Sequence, residues 1–184
     1  MSWAIWITGR PGSGKTTLAV HVAEAVQAWP AALKILDLAD ARRALVGQRW
    51  AAPAEEEIVH RTLAYTAKLL TDAGVAVVVD ATAPRRAWRD AAREWIAHFA
   101  EVQLVCAPEV CVEREQAARW RLGPTGAGTS PDIALDYEES LHPELRLHTH
   151  LPDLPSTVEA VLFLARRLHR AAAAPVTHSE RAIP

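Results

Sequence analysis

Residues 9–16 read Gly-Arg-Pro-Gly-Ser-Gly-Lys-Thr, which matches the pattern G-x-x-x-x-G-K-[ST] in full. This pattern is typical of a P-loop, a turn whose backbone N–H groups face inward and cradle phosphates. Residues 2–8 before it are an apolar run that favours a buried strand, and residues 17–26 after it are apolar mainly at helical spacing. Because a strand, the loop and a helix N-terminus follow one another, we expect a nucleotide-binding loop rather than an ordinary glycine turn.

The P-loop pattern gives each fixed residue a physical task. The glycines allow the backbone to approach phosphates closely, Lys15 reaches the β- and γ-phosphates, and the Thr16 hydroxyl contacts Mg²⁺. We therefore expect ATP and Mg²⁺ as cofactors and Lys15 as a catalytic residue. The ATP-binding residues predicted in the loop are Gly9, Arg10, Pro11, Gly12, Ser13, Gly14, Lys15, Thr16 and Thr17.

Length and composition limit the classes of protein that the chain can belong to. With 184 residues, 50% of them hydrophobic, we expect one globular domain over 1–170 and a flexible tail over 171–184. The net charge of −2 offers no basic surface for nucleic acid. No apolar run reaches the roughly 18 residues of a membrane span, and no signal segment precedes the P-loop, so we expect a cytoplasmic protein.

Apolar runs alternate with helical patterns along the whole chain. Strands are expected near 3–8, 33–38, 75–80, 101–106 and 145–149, which predicts a three-layer α/β/α P-loop fold with a mostly parallel five-stranded sheet. Asp40 and Ser156 are predicted to cap helices, and Pro84 to open a helix that runs to about Phe99. Residues 122–136, rich in glycine and proline, are predicted to form a mobile lid.

Two carboxylates follow predicted strands at the edge of the sheet where α/β proteins bind ligands. Asp37 and Asp80 could each hold Mg²⁺ or accept a hydroxyl proton, and the alternative is an aspartate that caps a helix or turn. We expect Thr16 and Asp37 as the metal-binding pair and both aspartates as candidates for the catalytic base.

Arginines cluster where a phosphoryl-transfer site would need positive charge. Arg114, Arg119 and Arg121 lead into the predicted lid, where they could close over ATP, and the alternative is a solvated helix face. Arg61 is predicted to face the acceptor. Cys106 and Cys111 are interpreted as free structural thiols.

Four further segments resemble the adenylylsulfate kinase family. Residues 36–42 (Leu-Asp-Leu-Ala-Asp-Ala-Arg) resemble its Asp-Gly-Asp-Asn-x-Arg motif, and residues 67–74 match its Ala-Lys-Leu-Phe-x-Asp-Ala-Gly helix end. Residues 83–90 resemble its Ser-Pro-Tyr-Arg-x-x-Arg-Asp, and residues 136–145 its Pro-Tyr-Glu and Asn-Pro-Glu-Leu. The resemblance spans about residues 3–168.

The resemblance implies ATP-dependent phosphorylation of the 3′-hydroxyl of adenylylsulfate, with Mg²⁺ and in a homodimer. It implies acceptor contacts from Arg42, Pro84 and Arg85. The chain departs from the family at Ala39 and Asp40, where the motif has Asp and Asn. It also lacks the substrate-gripping Asp-Arg-x-x-Asn before the third helix, where residues 54–61 read Ala-Glu-Glu-Glu-Ile-Val-His-Arg.

Two alternative functions remain open from the sequence. One is a P-loop kinase that acts on a different nucleotide-linked, sugar or antibiotic-like alcohol. The other is an ATP-binding regulator that transfers no phosphate, which the alanine at position 39 suggests.

Overall fold

A computed structural model describes residues 1–29, 31–47, 52–122, 136–149 and 153–174, with the backbone alone for 118–122. Strands and helices alternate in chain order: β1 (Ala4–Gly9), α1 (Lys15–Val26), β2 (Leu33–Asp37), α2 (Leu38–Val46), α3 (Pro53–Asp72), β3 (Ala76–Asp80), α4 (Arg86–Trp95), β4 (Phe99–Val105), α5 (Pro108–Leu122), β5 (Leu145–His148) and α6 (Leu154–Ala173).

The five strands form one parallel sheet in the order β2-β3-β1-β4-β5. Strand β1 lies at its centre, and β1 and β3 are buried along their whole length. This explains why their sequences are continuous apolar runs rather than alternating ones, since helices cover both faces of the sheet. The predicted fold is confirmed.

Two apolar clusters pack on opposite faces of the sheet. On one face Ile5 and Ile7 of β1 pack with Leu18 of α1 and Val161 of α6. On the other, Trp6 packs with side chains from α2, α3 and α4. The alternation of side chains along β1 sends successive residues into different layers. Within the described ranges, no helix is both long and apolar enough to cross a membrane.

Several helix boundaries differ from the prediction because a different side chain supplies the cap. The carboxylate of Asp37 accepts the N–H of Asp40, so α2 begins directly after β2, and Asp40 lies inside the helix. Asp153, not Ser156, caps α6, which extends to Ala173. Pro84 does not open α4, which begins at Arg86 and ends at Trp95.

Candidate active site

The P-loop connects β1 to α1 and folds as its glycines require. Gly9, Gly12 and Gly14 all have positive φ, at 145°, 77° and 96°. A Cβ at Gly12 would lie 2.1 Å from the carbonyl oxygen of Cys111, and one at Gly9 2.6 Å from that of Leu104. The structure thus adds a reason for glycine at these two positions, because the backbone of β4 and α5 packs directly against the loop.

Lys15 lies folded back over the P-loop. Its side-chain amine donates to the carbonyl oxygens of Gly9 and Arg10, each at 3.1 Å. Burial lowers the pKa of Lys15, and the nearby carboxylate of Asp80 opposes that shift. The side-chain amine of Lys15 therefore lies among backbone oxygens of the P-loop, next to the buried carboxylate of Asp80.

Asp80 is the buried carboxylate of the site. It ends β3, its carboxylate is hydrogen-bonded by Thr16, and it interacts with Lys15 and with Asp37. Burial raises the pKa of Asp80, while Lys15 and Thr16 hold it down. In the β2–β3 pairing Asp37 lies directly opposite Asp80, so that the two strands present a pair of carboxylates beside the loop. Asp37 also accepts the N–H of Asp40 and so caps α2, which is the structural role that the capping alternative predicts.

These side chains form a set that suits Mg²⁺ and a nucleotide triphosphate. Oxygen ligands from a hydroxyl and one or two carboxylates are what Mg²⁺ takes when substrate phosphates complete its shell, and Thr16, Asp37 and Asp80 offer them. Phosphates fit at the N-terminus of α1 over the open backbone of Gly14, around which a Cβ would meet nothing within 4 Å. Among the residues described, no three or more histidine, cysteine, aspartate or glutamate side chains form a group that could hold a metal ion.

The residues predicted to bind the acceptor have more varied surroundings. Arg42 is buried and paired with Glu56, whereas Arg61 is exposed and lies over the ring of Trp95, 5.5 Å from its centre. Pro84 is buried, and its carbonyl oxygen accepts the N–H of Glu138 at 2.8 Å.

Arg85 and its neighbours on α4 hold the segment 136–144, which precedes β5. Arg85 pairs with the carboxylate of Glu138, which also accepts the backbone N–H of Arg86 at 2.7 Å. Sequence reasoning missed this clamp, although the two segments that form it, 83–90 and 136–145, are family-like motifs. Their joint presence was the signal that they contact each other.

Arg114 is connected to the P-loop by two hydrogen bonds through Thr149. It donates to the carbonyl oxygen of Thr149 at 3.0 Å, and the Thr149 hydroxyl donates to the carbonyl oxygen of Ser13 at 2.8 Å. The side chains of Arg119 and Arg121 lie outside the described residues, as do residues 123–135 of the lid predicted over 122–136. Cys106 and Cys111 are free and buried, as predicted.

The five strands form a parallel sheet in the order 2-3-1-4-5, with a P-loop after the central strand β1. Aspartates end β3, which pairs with β1, and β2, which pairs with β3. This arrangement defines a P-loop phosphotransferase. The profile of the family described as Adenylylsulphate kinase matches residues 1–148. The chain belongs to this family, and the predicted resemblance is confirmed.

Individual relatives agree with that assignment. An adenylyl-sulfate kinase of Synechococcus sp. (strain JA-2-3B'a(2-13)) is 31% identical over 159 residues, which is 86% of this chain and 91% of the relative. A probable adenylyl-sulfate kinase of Archaeoglobus fulgidus is 32% identical over 83% of this chain and 99% of its own. The structure of the APS kinase CysC of Mycobacterium tuberculosis in complex with AMPPNP and APS superposes with a TM-score of 0.73 at 25% identity, covering 90% of this chain and 98% of that one. The chain is thus an enzyme, an ATP-dependent phosphotransferase whose cofactors are ATP and Mg²⁺.

Proposed function

We propose that this enzyme transfers the γ-phosphate of ATP to the 3′-hydroxyl of adenylylsulfate. The observation that carries the proposal is the convergence of Lys15, Thr16 and Asp80 at one point beside the P-loop, in a chain that belongs to the adenylylsulphate kinase family. Phosphoryl transfer needs mainly positioning and charge stabilisation, and these three groups supply both for the donor.

On the donor side, the backbone of residues 9–17 binds the phosphates, and Lys15 leaves its carbonyl partners to contact the transferring group. Thr16 and Asp80 would hold Mg²⁺, which leaves Asp37 to act on the acceptor. Bound Mg²⁺ supplies charge neutralisation of the phosphates. Arg114 lies near enough to the loop to contact the donor, and we extend this role to Arg119 and Arg121 on the same helix.

On the acceptor side, Asp37 serves as the base. Its partial exposure at the end of β2 leaves it accessible to a hydroxyl, whereas Asp80 is buried. The acceptor O–H gives its proton to Asp37, its oxygen forms the new bond to the γ-phosphorus, and the bond to the β-phosphate oxygen breaks with its electrons leaving on ADP. The acceptor side is lined by Arg42, Arg61, Pro84 and Arg85. The contacts of Pro84 and Arg85 with Glu138 set the position of these two residues.

We further propose that the kinase domain covers about 1–170, that the protein is cytoplasmic and that it forms a homodimer. An exposed apolar stripe on α3 supports self-association, since Ile58, Tyr65 and Leu69 are half exposed or more and recur at helical spacing. Sedimentation at micromolar concentration tests the dimer, and a Tyr65→Glu variant should shift it to monomer.

The test of the function is direct product identification. Purified protein is incubated with ATP, Mg²⁺ and adenylylsulfate, and the nucleotides are separated and analysed by mass spectrometry. We expect equal amounts of ADP and of adenylylsulfate carrying one extra phosphate on the 3′-oxygen. ATP binding without any transfer to adenylylsulfate would rule out this acceptor, and transfer to a panel of sugars instead would identify another alcohol.

A further inference from the structure

A cluster of Arg42, Glu56, His60 and Trp88 lies at the same edge of the sheet as the P-loop. Helix α2 follows β2 directly, α4 follows β3, and α3 runs back to the start of β3. The first turns of all three helices therefore lie at the carboxyl ends of the strands. We call these four residues the α2–α4 cluster.

Within the α2–α4 cluster, Arg42 and Glu56 form a buried ion pair. The Nε and Nη2 atoms of Arg42 lie 3.0 and 3.5 Å from the two carboxylate oxygens of Glu56, and the two side chains are 6% and 0% exposed. A two-point contact fixes the plane of the guanidinium and balances its charge. Arg42 is thus a cation whose counter-charge is already in place.

His60 adds no charge to this cluster. Its Nδ1 lies 2.7 Å from the carbonyl oxygen of Glu56, and its ring stacks on Trp88 with centroids 4.2 Å apart. Burial lowers the pKa of His60 to about 4, so the ring is neutral near pH 7. With its proton on Nδ1, the ring keeps a lone pair on Nε2, a buried atom without a hydrogen-bond partner among the described residues.

The α2–α4 cluster therefore contains one cation, one anion, a neutral imidazole and an aromatic ring. Taken together, these four residues carry no net charge with which to attract an anion. Residues 55–57 of α3 are three glutamates, and Glu56 is the one that pairs with Arg42.

We propose that Glu56 is a selectivity residue on the acceptor side: by holding Arg42 in a neutral pair, it weakens the attraction of the site for anionic groups relative to uncharged ones. The inference rests on the proposed function, because it concerns the acceptor side of that site. Its consequence for adenylylsulfate is that Arg42 contributes little to the binding of the anionic phosphosulfate group.

The test compares two ligands that share a nucleoside and differ in charge. Adenylylsulfate and adenosine are titrated calorimetrically into protein saturated with ADP and Mg²⁺, and the ratio of their association constants reports the contribution of the phosphosulfate group. In Glu56→Gln the guanidinium loses its counter-charge, so this ratio should rise at least about tenfold over the unaltered protein. Glu57→Gln removes the same charge from the next, exposed position of α3 and should leave the ratio unchanged.

A double variant tests the inference even where Glu56→Gln fails to fold. Arg42→Gln combined with Glu56→Gln replaces the ion pair by a neutral one of similar shape, which buried pairs tolerate far better than the loss of one partner. We expect the ratio of association constants to stay within about threefold of the unaltered protein, because a balanced pair is exchanged for a neutral one. A tenfold or larger fall would show that Arg42 grips the phosphosulfate group and would overturn the proposal.

The remaining outcomes separate this inference from the proposed function. A folded Glu56→Gln variant with an unchanged ratio contradicts the role of Glu56, even if adenylylsulfate is phosphorylated efficiently. Failure of both the unaltered protein and the Glu56→Gln variant to bind adenylylsulfate also contradicts the role of Glu56. Conversely, absence of phosphate transfer to adenylylsulfate, together with the expected rise in the ratio, contradicts the proposed acceptor and supports the role of Glu56.

Discussion

The Nε atom of Arg89 lies 2.8 Å from a carboxylate oxygen of Glu101, and the two side chains are 1% and 5% exposed. Arg89 also donates to the carbonyl oxygen of Glu138 at 2.6 Å and to that of Ala83. One buried guanidinium thus connects α4, β4 and the segment before β5. The residues that make the chain look like its family therefore include a structural clamp as well as a binding site.

Breaking this buried ion pair should cost far more stability than breaking an exposed one. Arg89→Met removes the nearer of the two arginines that pair with the buried Glu101, the other being Arg93 at 3.6 Å. We expect a loss of about 3 kcal/mol in the free energy of unfolding, measured by urea denaturation. Arg86→Met is the matched control on the same helix, since Arg86 is 39% exposed and lies 3.9 Å from Glu138. There we expect a loss below about 1 kcal/mol. Equal losses in the two variants would contradict the structural role of the buried Arg89.

Lys15 should be required for turnover but not for folding. Lys15→Ala removes the mobile cation that contacts the transferring phosphate, and we expect the transition state to lose about 3–4 kcal/mol, or a rate lower by two to three orders of magnitude. The measurement is ADP formation at saturating ATP. Lys68→Ala removes an exposed lysine paired with Asp72 on α3 and serves as the control. Turnover within a few-fold of normal in Lys15→Ala would mean that the P-loop is not the catalytic site.

Alanine variants at Gly12 and Gly47 distinguish the stability cost of backbone strain from that of steric overlap. Their φ angles are nearly equal, at 77° and 79°, but a Cβ at Gly12 meets the carbonyl oxygen of Cys111, and one at Gly47 meets nothing within 4 Å. Because its ψ is −153°, Gly47 lies in a backbone region that is essentially restricted to glycine, and we expect Gly47→Ala to lower the free energy of unfolding by about 1–3 kcal/mol, from strain alone. Gly12→Ala should cost a further 1–3 kcal/mol or so, and should abolish ATP binding because α5 and the loop must move apart. The prediction fails if both variants bind ATP normally in a fluorescence titration.

His60 should make the protein less stable as the solution becomes acidic. Its pKa falls from 6.5 to about 4 on folding, so between these values the unfolded chain binds the proton that the folded protein excludes. The stability present above pH 6.5 is therefore lost as pH falls towards 4, by up to about 3 kcal/mol. Burial raises the pKa of the adjacent Glu56, which acts in the opposite direction, so the two effects partly offset each other.

The difference between His60→Gln and the unaltered protein isolates the histidine. We expect the variant to show a flatter dependence of the free energy of unfolding on pH from 6.5 to 4. His21→Gln, which removes an exposed histidine on α1, should reproduce the original slope. An unchanged slope in His60→Gln would mean that this ring is accessible to protons in the folded state.

Much of the donor side could be predicted because it is encoded locally. The P-loop, its strand and its helix lie within residues 4–26, and the pattern needs no distant partner to be recognised. The five strands were predicted within a few residues, since continuous apolar runs carry their own signal. Helix starts were predicted less well at Asp37 and Asp153, because the choice of the capping side chain depends on where the backbone first turns.

The surroundings of the residues predicted to bind the acceptor could not be predicted, because these residues pair with others that are distant in the chain. The sequence predicts an acceptor contact from Arg42 but does not show that the fold buries it against Glu56, 14 positions away. It predicts substrate contacts from Pro84 and Arg85 but does not show that the fold places both of them against Glu138. The sequence gives the charge of each side chain, but whether an opposite charge balances it depends on which residues the fold places next to it.

The sequence by itself thus determined that this protein binds nucleotide phosphates on a parallel sheet, because loop and strand patterns are local. The tertiary structure alone decided that Asp80 is the acid buried beside Lys15 and Thr16, since that contact requires β3 to pair with β1. It also decided that Arg42 is buried in an ion pair with Glu56. Both outcomes have the same physical reason, because burial and long-range pairing set the charge that a site presents to its ligand.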